Sequence, residues 1–495
     1  MKKTLKNIVQ LLNENNLVIK SNILDDSLIV EAVTDNSKEV TQNSLFFCKG
    51  AHFKVDYLNE ALEKGALGYI TEKEELISEK NCILVNDIRK SMAVIGCYFY
   101  DDAWKEFKLI GITGTKGKST TSYFIKSILD NYMASIGEKP IGILSSIENY
   151  DGKMLEESHL TTPEPLKLHW HFNNMKASGI KYCVMEVSSQ ALKYDRVSGV
   201  EFDIGCFLNI GEDHISDIEH SSYEDYFMSK IKLFDIAKEM IVWDEIEFPM
   251  YEELKTKTNV ITYGSDENSS FAIKNIKKNL DSVEFELKCN GSFKKFKIMM
   301  AGLFNVFNAA AAISTAVRLD IPYNNIYDGL VSAKVSGRME LFLSKNEKVT
   351  AIVDYAHNKL SFEKLFESIK SEYPNKKIIT VFGCPGGKAF ARRKDLGELA
   401  ALNSDLVLIT EEDHGEESLE KICKEIAEFV EPINKEYQII MDREKAIETA
   451  LNYYSDAVVL ITGKGRETRQ KRGTEYIETL SDVQIVEKYI DSIGV

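Results

Sequence analysis

FKLIGITGTKGKSTTSYFIKSILDNYM, residues 107–133, joins an apolar run to a glycine-bearing turn, Gly114-Thr115-Lys116-Gly117-Lys118-Ser119, and then to apolar residues at helical spacing. A strand that feeds a glycine turn and a helix N-terminus aims several backbone N–H groups and a positive dipole end at a phosphate chain. Lys118 is placed to neutralise the β and γ phosphates, and the Ser119 hydroxyl to ligate magnesium. The motif is irregular. A strict phosphate loop wants glycine at position 112, where Ile112 stands between Gly111 and Gly114. The alternative is an ordinary glycine-rich strand-to-helix turn that holds no ligand.

Outward from this stretch, YCVMEV (182–187) and FDIGCFLNI (202–210) read as buried strands with helical segments between them, which implies a mostly parallel sheet. A central domain over 107–335 is expected. Residues 1–106 mix short strands (SLFFCKG, 44–50; LGYIT, 67–71; CILV, 82–85) with helical stretches such as Ser91–Tyr100, and predict a small α/β domain. Over 336–495 the runs VTAIVDYA, IITVFGC, DLVLIT and AVVLITGKG alternate with helices near 360–373 and 442–454, the pattern of a doubly wound, Rossmann-like domain. The fold class is α/β in three domains.

Composition narrows the function. The 495 residues are 44% hydrophobic and 28% charged, an ordinary globular mixture. A net charge of −16 would repel a phosphate backbone, so nucleic acid is a poor partner. MKKTLKNIVQLLNENN reads as an amphipathic helix rather than a signal peptide, and no apolar run is long enough to cross a bilayer. Eight scattered cysteines without a CxxC pair suit a reducing cytoplasm and argue against a thiolate zinc site. No Ser-His-Asp or Cys-His arrangement suggests itself from the sequence.

GTKGKSTT is similar to the shortened phosphate loop of the Mur ligase family, which also includes folylpolyglutamate synthetases. LTTPEP (160–165), MEVSSQALKYDRVSGVEFDIGCFLNIGEDHISDIEH followed by YEDYFMSKIKLF, GLFNVFNAAAA (302–312), SGRME (336–340), VDYAHN (353–358), VFGCPGGK (381–388) and ITGKGRET (461–468) resemble the UDP-N-acetylmuramoyl-tripeptide synthetase branch, in order and over nearly the whole chain. The resemblance implies ATP and magnesium as cofactors, a UDP-N-acetylmuramoyl-L-Ala-D-Glu acceptor, an acyl phosphate intermediate, and a cytoplasmic monomer without membrane insertion. It further implies ATP contacts from Gly114, Thr115, Lys116, Gly117, Lys118, Ser119, Thr120, Asn305, Arg338, Asp354 and His357. Magnesium would fall to Ser119, Glu186, His214 and Lys230, the last as a carbamate. From the residues alone, Glu186 reads as a strand-end cap, His214 as a core histidine and Lys230 as a helix-surface lysine.

Thr161, Thr162, Ser188 and Arg196 resemble the residues that hold the muramoyl dipeptide, and Ser37 the uridine-binding serine, although the family's Asp-Ser-Arg stands here as Asn36-Ser37-Lys38. Arg393, Gly463 and Glu467 match positions that meet the incoming amino acid, beside Arg466, where the family has histidine. Branch members that add meso-diaminopimelate carry Asp-Asn-Pro-Arg where this chain has Glu412-Asp413-His414-Gly415. An acidic segment without arginine suits L-lysine over diaminopimelate or ornithine, unless TEEDHGEES is merely a solvated helix start. A folylpolyglutamate-type ligase would not need a uridine-binding domain or LTTPEP. A silent ATP-binding regulator would not need Lys118, Glu186, His214 and Lys230 together.

Overall fold

The computed structural model describes residues 2–50, 53–158, 160–211, 219–246, 251–256, 259–279, 282–300, 302–335 and 337–493. By contacts the chain divides into two compact units, 1–263 with 314–325 and 264–313 with 326–495.

The first unit holds two sheets. The N-terminal one runs Val18–Asn22, Cys82–Val85, Gly68–Thr71, Ser44–Cys48, Ala32–Thr34, and only its first strand is antiparallel to its neighbour. Its inner strands are buried at every position, which is why they read as unbroken apolar runs. The amphipathic helix Leu5–Glu14, capped by Thr4, packs Leu5, Ile8 and Leu12 onto Leu45, Phe47 and Ile83 in the core beneath.

The second sheet of this unit runs Val260–Gly264, Ala237–Trp243, Phe202–Phe207, Lys108–Thr113, Tyr182–Glu186, Gly142–Leu144, Glu148–Tyr150, Leu155–Glu157. Its pairings are parallel as far as Gly142–Leu144, and the last two strands fold back antiparallel. Lys108–Thr113 lies between Phe202–Phe207 and Tyr182–Glu186. Loops leaving the carboxyl ends of strands on either side of such a centre open a crevice, the usual ligand position in an α/β sheet.

In the second unit, Phe271–Lys278, Val283–Cys289 and Ser292–Ile298 form an antiparallel sheet that the apolar-run reading passed over. Val283, Phe285, Leu287 and Cys289 point inward while the residues between them are open. The six-stranded sheet runs Glu340–Leu343, Val349–Asp354, Ala457–Thr462, Lys377–Phe382, Leu406–Ile409, Tyr437–Ile439, with only the first strand antiparallel. Caps fix the helix starts: Asn358 before Lys359–Glu372, and Asp442, read as helical, before Arg443–Tyr453.

Candidate functional site

Helix Lys118–Ser135 starts from Gly117, whose φ of +83° lies in the left-handed region and which has no side chain to cap the first turn. Asn209 braces the turn before it: its Oδ1 accepts from the Lys116 amide at 2.9 Å, its Nδ2 donates to the Lys116 carbonyl at 3.0 Å, and its own carbonyl accepts from the Thr115 amide at 3.1 Å. Thr115 Oγ1 accepts from the Gly211 amide at 3.0 Å and from the Tyr226 hydroxyl at 3.2 Å.

Lys118 Nζ donates to the carbonyls of Gly114 at 2.9 Å and Thr115 at 3.3 Å, so the side chain curls over the turn. Lys230, 1% exposed, donates to the same Gly114 oxygen at 2.9 Å, with its Nζ 4.5 Å from the Tyr226 ring centroid. The two ammonium groups converge on one carbonyl oxygen, which concentrates positive charge beside the phosphate turn.

Glu186 ends its strand 1% exposed, and its Oε1 accepts from the Ser146 amide at 3.0 Å and from Ser146 Oγ at 3.2 Å. Ser146 Oγ is 3.0 Å from Ser119 Oγ. Oxygens of Ser119, Ser146 and Glu186 therefore line up beside the phosphate turn, a donor chemistry that fits a hard cation such as magnesium. His214 lies outside the described residues. Among the described residues, no three of His, Cys, Asp or Glu group around a metal position.

Thr162 Oγ1 donates to the Glu186 carbonyl at 2.9 Å and accepts from the Ser188 amide at 3.0 Å, which ties LTTPEP to the end of the Glu186 strand. Arg196 donates to the Thr162 carbonyl at 3.2 Å and pairs with Glu164 at 2.9 Å. Lys49 pairs with Glu164 at 2.5 Å and Asp35 at 3.5 Å, which carries the ionic chain back to the N-terminal sheet. Thr161 is half-buried beside this network. Ser37 is taken up locally, its hydroxyl donating to Glu60 at 2.6 Å. Asp35, Ser146, Lys49 and Glu164 were not singled out from the sequence, although Asp35, Lys49 and Glu164 stand inside the motifs DNSKEV, FFCKG and LTTPEP.

Ser189 Oγ lies 2.9 Å from His220 Nε2, whose Nδ1 is 3.5 Å from Asp225, and Cys97 Sγ lies 3.4 Å from His169 Nε2. Both imidazoles are fully buried, and burial holds His169 down at about 4 and pushes the Cys97 thiol up to about 12. A thiol kept neutral and a serine packed under a closed surface are interior hydrogen bonds, not nucleophiles.

In the second unit, Asp354 accepts from the Met339 amide at 2.9 Å and the Ala356 amide at 2.7 Å, the Arg338 guanidinium lies 4.9 Å from the Tyr355 ring centroid, and His357 Nδ1 is 2.7 Å from the Tyr355 carbonyl. Arg338, Asp354 and His357 thus form one group. Asn305 begins helix Asn305–Arg318 and accepts from Asn308 at 2.9 Å.

A second group sits at strand ends. Tyr355 donates to Glu467 at 2.5 Å, and Lys464 bonds both Glu467 and Asp413, the latter at 2.9 Å. Gly463, φ +108°, passes so close that a Cβ there would stand 2.4 Å from Glu412 Oε2. Burial pushes the Glu412 carboxyl up to about 7, opposed by Arg443, Lys464 and Arg392 and assisted by Asp413. His414 Nδ1 is 3.0 Å from the Glu417 carbonyl, and the Gly415 amide donates to the Lys471 carbonyl at 3.0 Å. Arg466 makes a two-pronged pair with Glu340 at 2.8 and 2.9 Å. Arg393, expected to meet the amino acid, is 3% exposed and held by Glu417, at 2.7 Å, and Glu425. It links helix Ala391–Asn403 to Leu419–Val430 and its guanidinium is turned into that packing.

The sequence matches the Mur ligase middle domain over residues 112–316 and the Mur ligase, glutamate ligase domain over 337–465. It is 37% identical over 454 residues to the UDP-N-acetylmuramoyl-L-alanyl-D-glutamate–L-lysine ligase of Enterococcus faecalis, covering 89% of this chain and 88% of that one. It is 34% identical over 475 residues to the UDP-N-acetylmuramoyl-L-alanyl-D-glutamate–2,6-diaminopimelate ligase 1 of Clostridium acetobutylicum, covering 95% and 96%. Among solved structures, a UDP-N-acetylmuramoyl-L-alanyl-D-glutamate–2,6-diaminopimelate ligase superposes with a TM-score of 0.68 at 21% identity, covering 99% of each chain.

Proposed function

The chain belongs to the Mur ligase family, and on that premise we propose that it joins L-lysine to the D-glutamate γ-carboxylate of UDP-N-acetylmuramoyl-L-Ala-D-Glu at the expense of ATP, in peptidoglycan precursor synthesis. The observation that carries the reading is the meeting of Lys118 and Lys230 on the Gly114 carbonyl beside the Ser119–Ser146–Glu186 oxygen row. That is a place for a transferring phosphoryl group next to a divalent cation.

ATP phosphorylates the γ-carboxylate and leaves as ADP. The amine then attacks the acyl carbon, loses a proton and expels inorganic phosphate. The phosphate turn, Gly114 to Thr120, receives the triphosphate, and Lys118 stabilises charge on the phosphoryl oxygens. Thr161, Thr162, Ser188 and Arg196 are assigned to the peptide carboxylate, and Ser37 to the uridine end. Asn305, Arg338, Asp354 and His357 serve the base and ribose. Magnesium, held by Ser119, Glu186, His214 and the carbamate of Lys230, would supply electrostatic stabilisation of the phosphoryl oxygens. We place the enzyme in the cytoplasm as a monomer. Among the described residues, no helix is long and apolar enough to cross a membrane.

Glu412, Asp413 and Glu467 are assigned to the amino acid, with Gly463, His414 and Gly415 shaping its pocket. Three carboxylates, with Lys464 set between Asp413 and Glu467, leave a net acidic site, which favours a substrate whose side chain ends in an ammonium. A second reading, meso-diaminopimelate, is favoured by Arg472. This arginine is the bridge partner of Gly415, its side chain is 45% exposed, and it pairs with Glu411 through two bonds of 2.8 Å. It brings a guanidinium beside the position where the diaminopimelate branch has its own. Purified protein given ATP, magnesium and the acceptor is expected to yield, by product mass, the lysine adduct in preference to the diaminopimelate and ornithine adducts. Phosphate release with none of the three amino acids would end the ligase reading, and a diaminopimelate adduct that fails in Arg472→Ala would select the second.

Glu412 gives this pocket a pH signature. Its carboxyl, raised to about 7, is mostly neutral at pH 6 and mostly ionised at pH 8, and only the ionised form attracts an ammonium. KM for lysine is therefore expected to fall about tenfold between those pH values. In Glu412→Gln it should stay flat and high. A wild-type KM that rises with pH would remove Glu412 from the pocket.

A further inference from the structure

Arg443 and Asp482 form a buried pair, 6% and 1% exposed by side chain, that no motif pointed to. Arg443 Nε and Nη2 donate to the two Asp482 oxygens at 2.6 and 2.8 Å. The same guanidinium also donates to two main-chain carbonyls, Glu411 at 3.0 Å and Thr462 at 2.7 Å. Asp482 in turn accepts from the Gly465 amide at 3.0 Å.

These carbonyls sit at informative places. Thr462 ends the strand Ala457–Thr462, and Glu411 lies just past Leu406–Ile409. The two strands are not neighbours, because Lys377–Phe382 runs between them. Sheet hydrogen bonds therefore stop short of fixing one loop against the other. The residues that follow are Glu412 and Asp413 on one side, Gly463 and Lys464 on the other, and Gly463 approaches Glu412 with no room for a Cβ. Only a planar fork of several donors can grip both carbonyls and an anchoring carboxylate at once.

We infer that Arg443 and Asp482 are a positioning pair that sets the spacing between the two halves of the amino-acid pocket, an inference that rests on the reading of 411–415 and 463–467 as that pocket. A buried ion pair is weak evidence for stability, since apolar side chains of similar volume often replace one at little cost. Its bonds to the two loop carbonyls are what an apolar replacement cannot reproduce.

The paired variant Arg443→Met with Asp482→Leu removes the two charges together, so neither member of the pair is left as an unpaired buried ion. Steady-state kinetics for all three substrates, beside a thermal melt, separate the roles. The expected result is a KM for lysine raised at least tenfold, with kcat and the KM values for ATP and the UDP-linked acceptor within about twofold of wild type. Arg443→Lys alone, which keeps the charge but not the fork, should raise KM for lysine about threefold or more, and it decides the matter should the paired variant fail to fold. A folded variant with wild-type KM for lysine, or with all three KM values raised alike, overturns the inference. Wild type that ligates no amino acid overturns the proposed function and this inference with it. Wild type that ligates lysine beside a variant of unchanged KM overturns this inference alone.

Discussion

Lys118→Met is expected to lower kcat at least a thousandfold while leaving the melting temperature close to wild type. A thousandfold corresponds to about 4 kcal/mol of transition-state stabilisation, within the range seen when one cation is withdrawn from a transferring phosphoryl group. The geometry argues for a large effect. Lys118 is half-buried and rests on the Gly114 and Thr115 carbonyls, so it is held over the turn before any ligand arrives and loses little freedom on meeting one. Methionine keeps the length and apolar stem of the side chain. The turn itself is braced by Asn209 and by Tyr226 through Thr115, none of which the change removes. Phosphate release measured with saturating acceptor and lysine checks the prediction, and a loss under tenfold would mean that Lys118 is not the residue facing the γ phosphate.

What could be read from the sequence follows from how each part is held. The strand Lys108–Thr113 and its parallel neighbours are buried on both faces, so they announce themselves as apolar runs, and the turn after them is contiguous. Ser292–Ile298 is a strand of another kind, with lysines on its open positions, and its only buried residues are Phe296 and Ile298. A search for apolar runs passes over it. Side-chain roles divided in the same way. Lys118 and Ser119 are defined by their neighbours in the chain. The Lys49–Glu164 pair, whose members are 115 residues apart, is not. Arg393 shows the converse error: its charge and its motif suggest a ligand contact, but Glu417 and Glu425, 24 and 32 residues on, had already claimed it in the fold.

Lys230→Ala is expected to lower kcat at least a hundredfold and, unlike Lys118→Met, to recover part of it when formate or acetate is added. Lys230 sits 1% exposed at the end of helix Tyr223–Ile231 and donates to the Gly114 carbonyl that Lys118 also uses. As an ammonium it places a second positive charge on the oxygen that Lys118 already uses. Condensation of the neutral amine with carbon dioxide gives a carbamate and releases one proton. The remaining N–H can still donate to Gly114, and two new oxygens bring a negative charge beside Lys118. That exchange turns a cation into an oxygen donor of the kind magnesium accepts, next to Ser119 and Glu186. Alanine removes the amine that would carry the carbamate but leaves space in which a small free carboxylate can take over its oxygens, so rescue should follow carboxylate size, with formate and acetate effective and bulkier acids not. Lys230→Arg, which keeps the charge and fills the space, should be inactive and beyond rescue. Full activity in Lys230→Arg would mean that a plain cation suffices there, and the carbamate would have no part in the reaction.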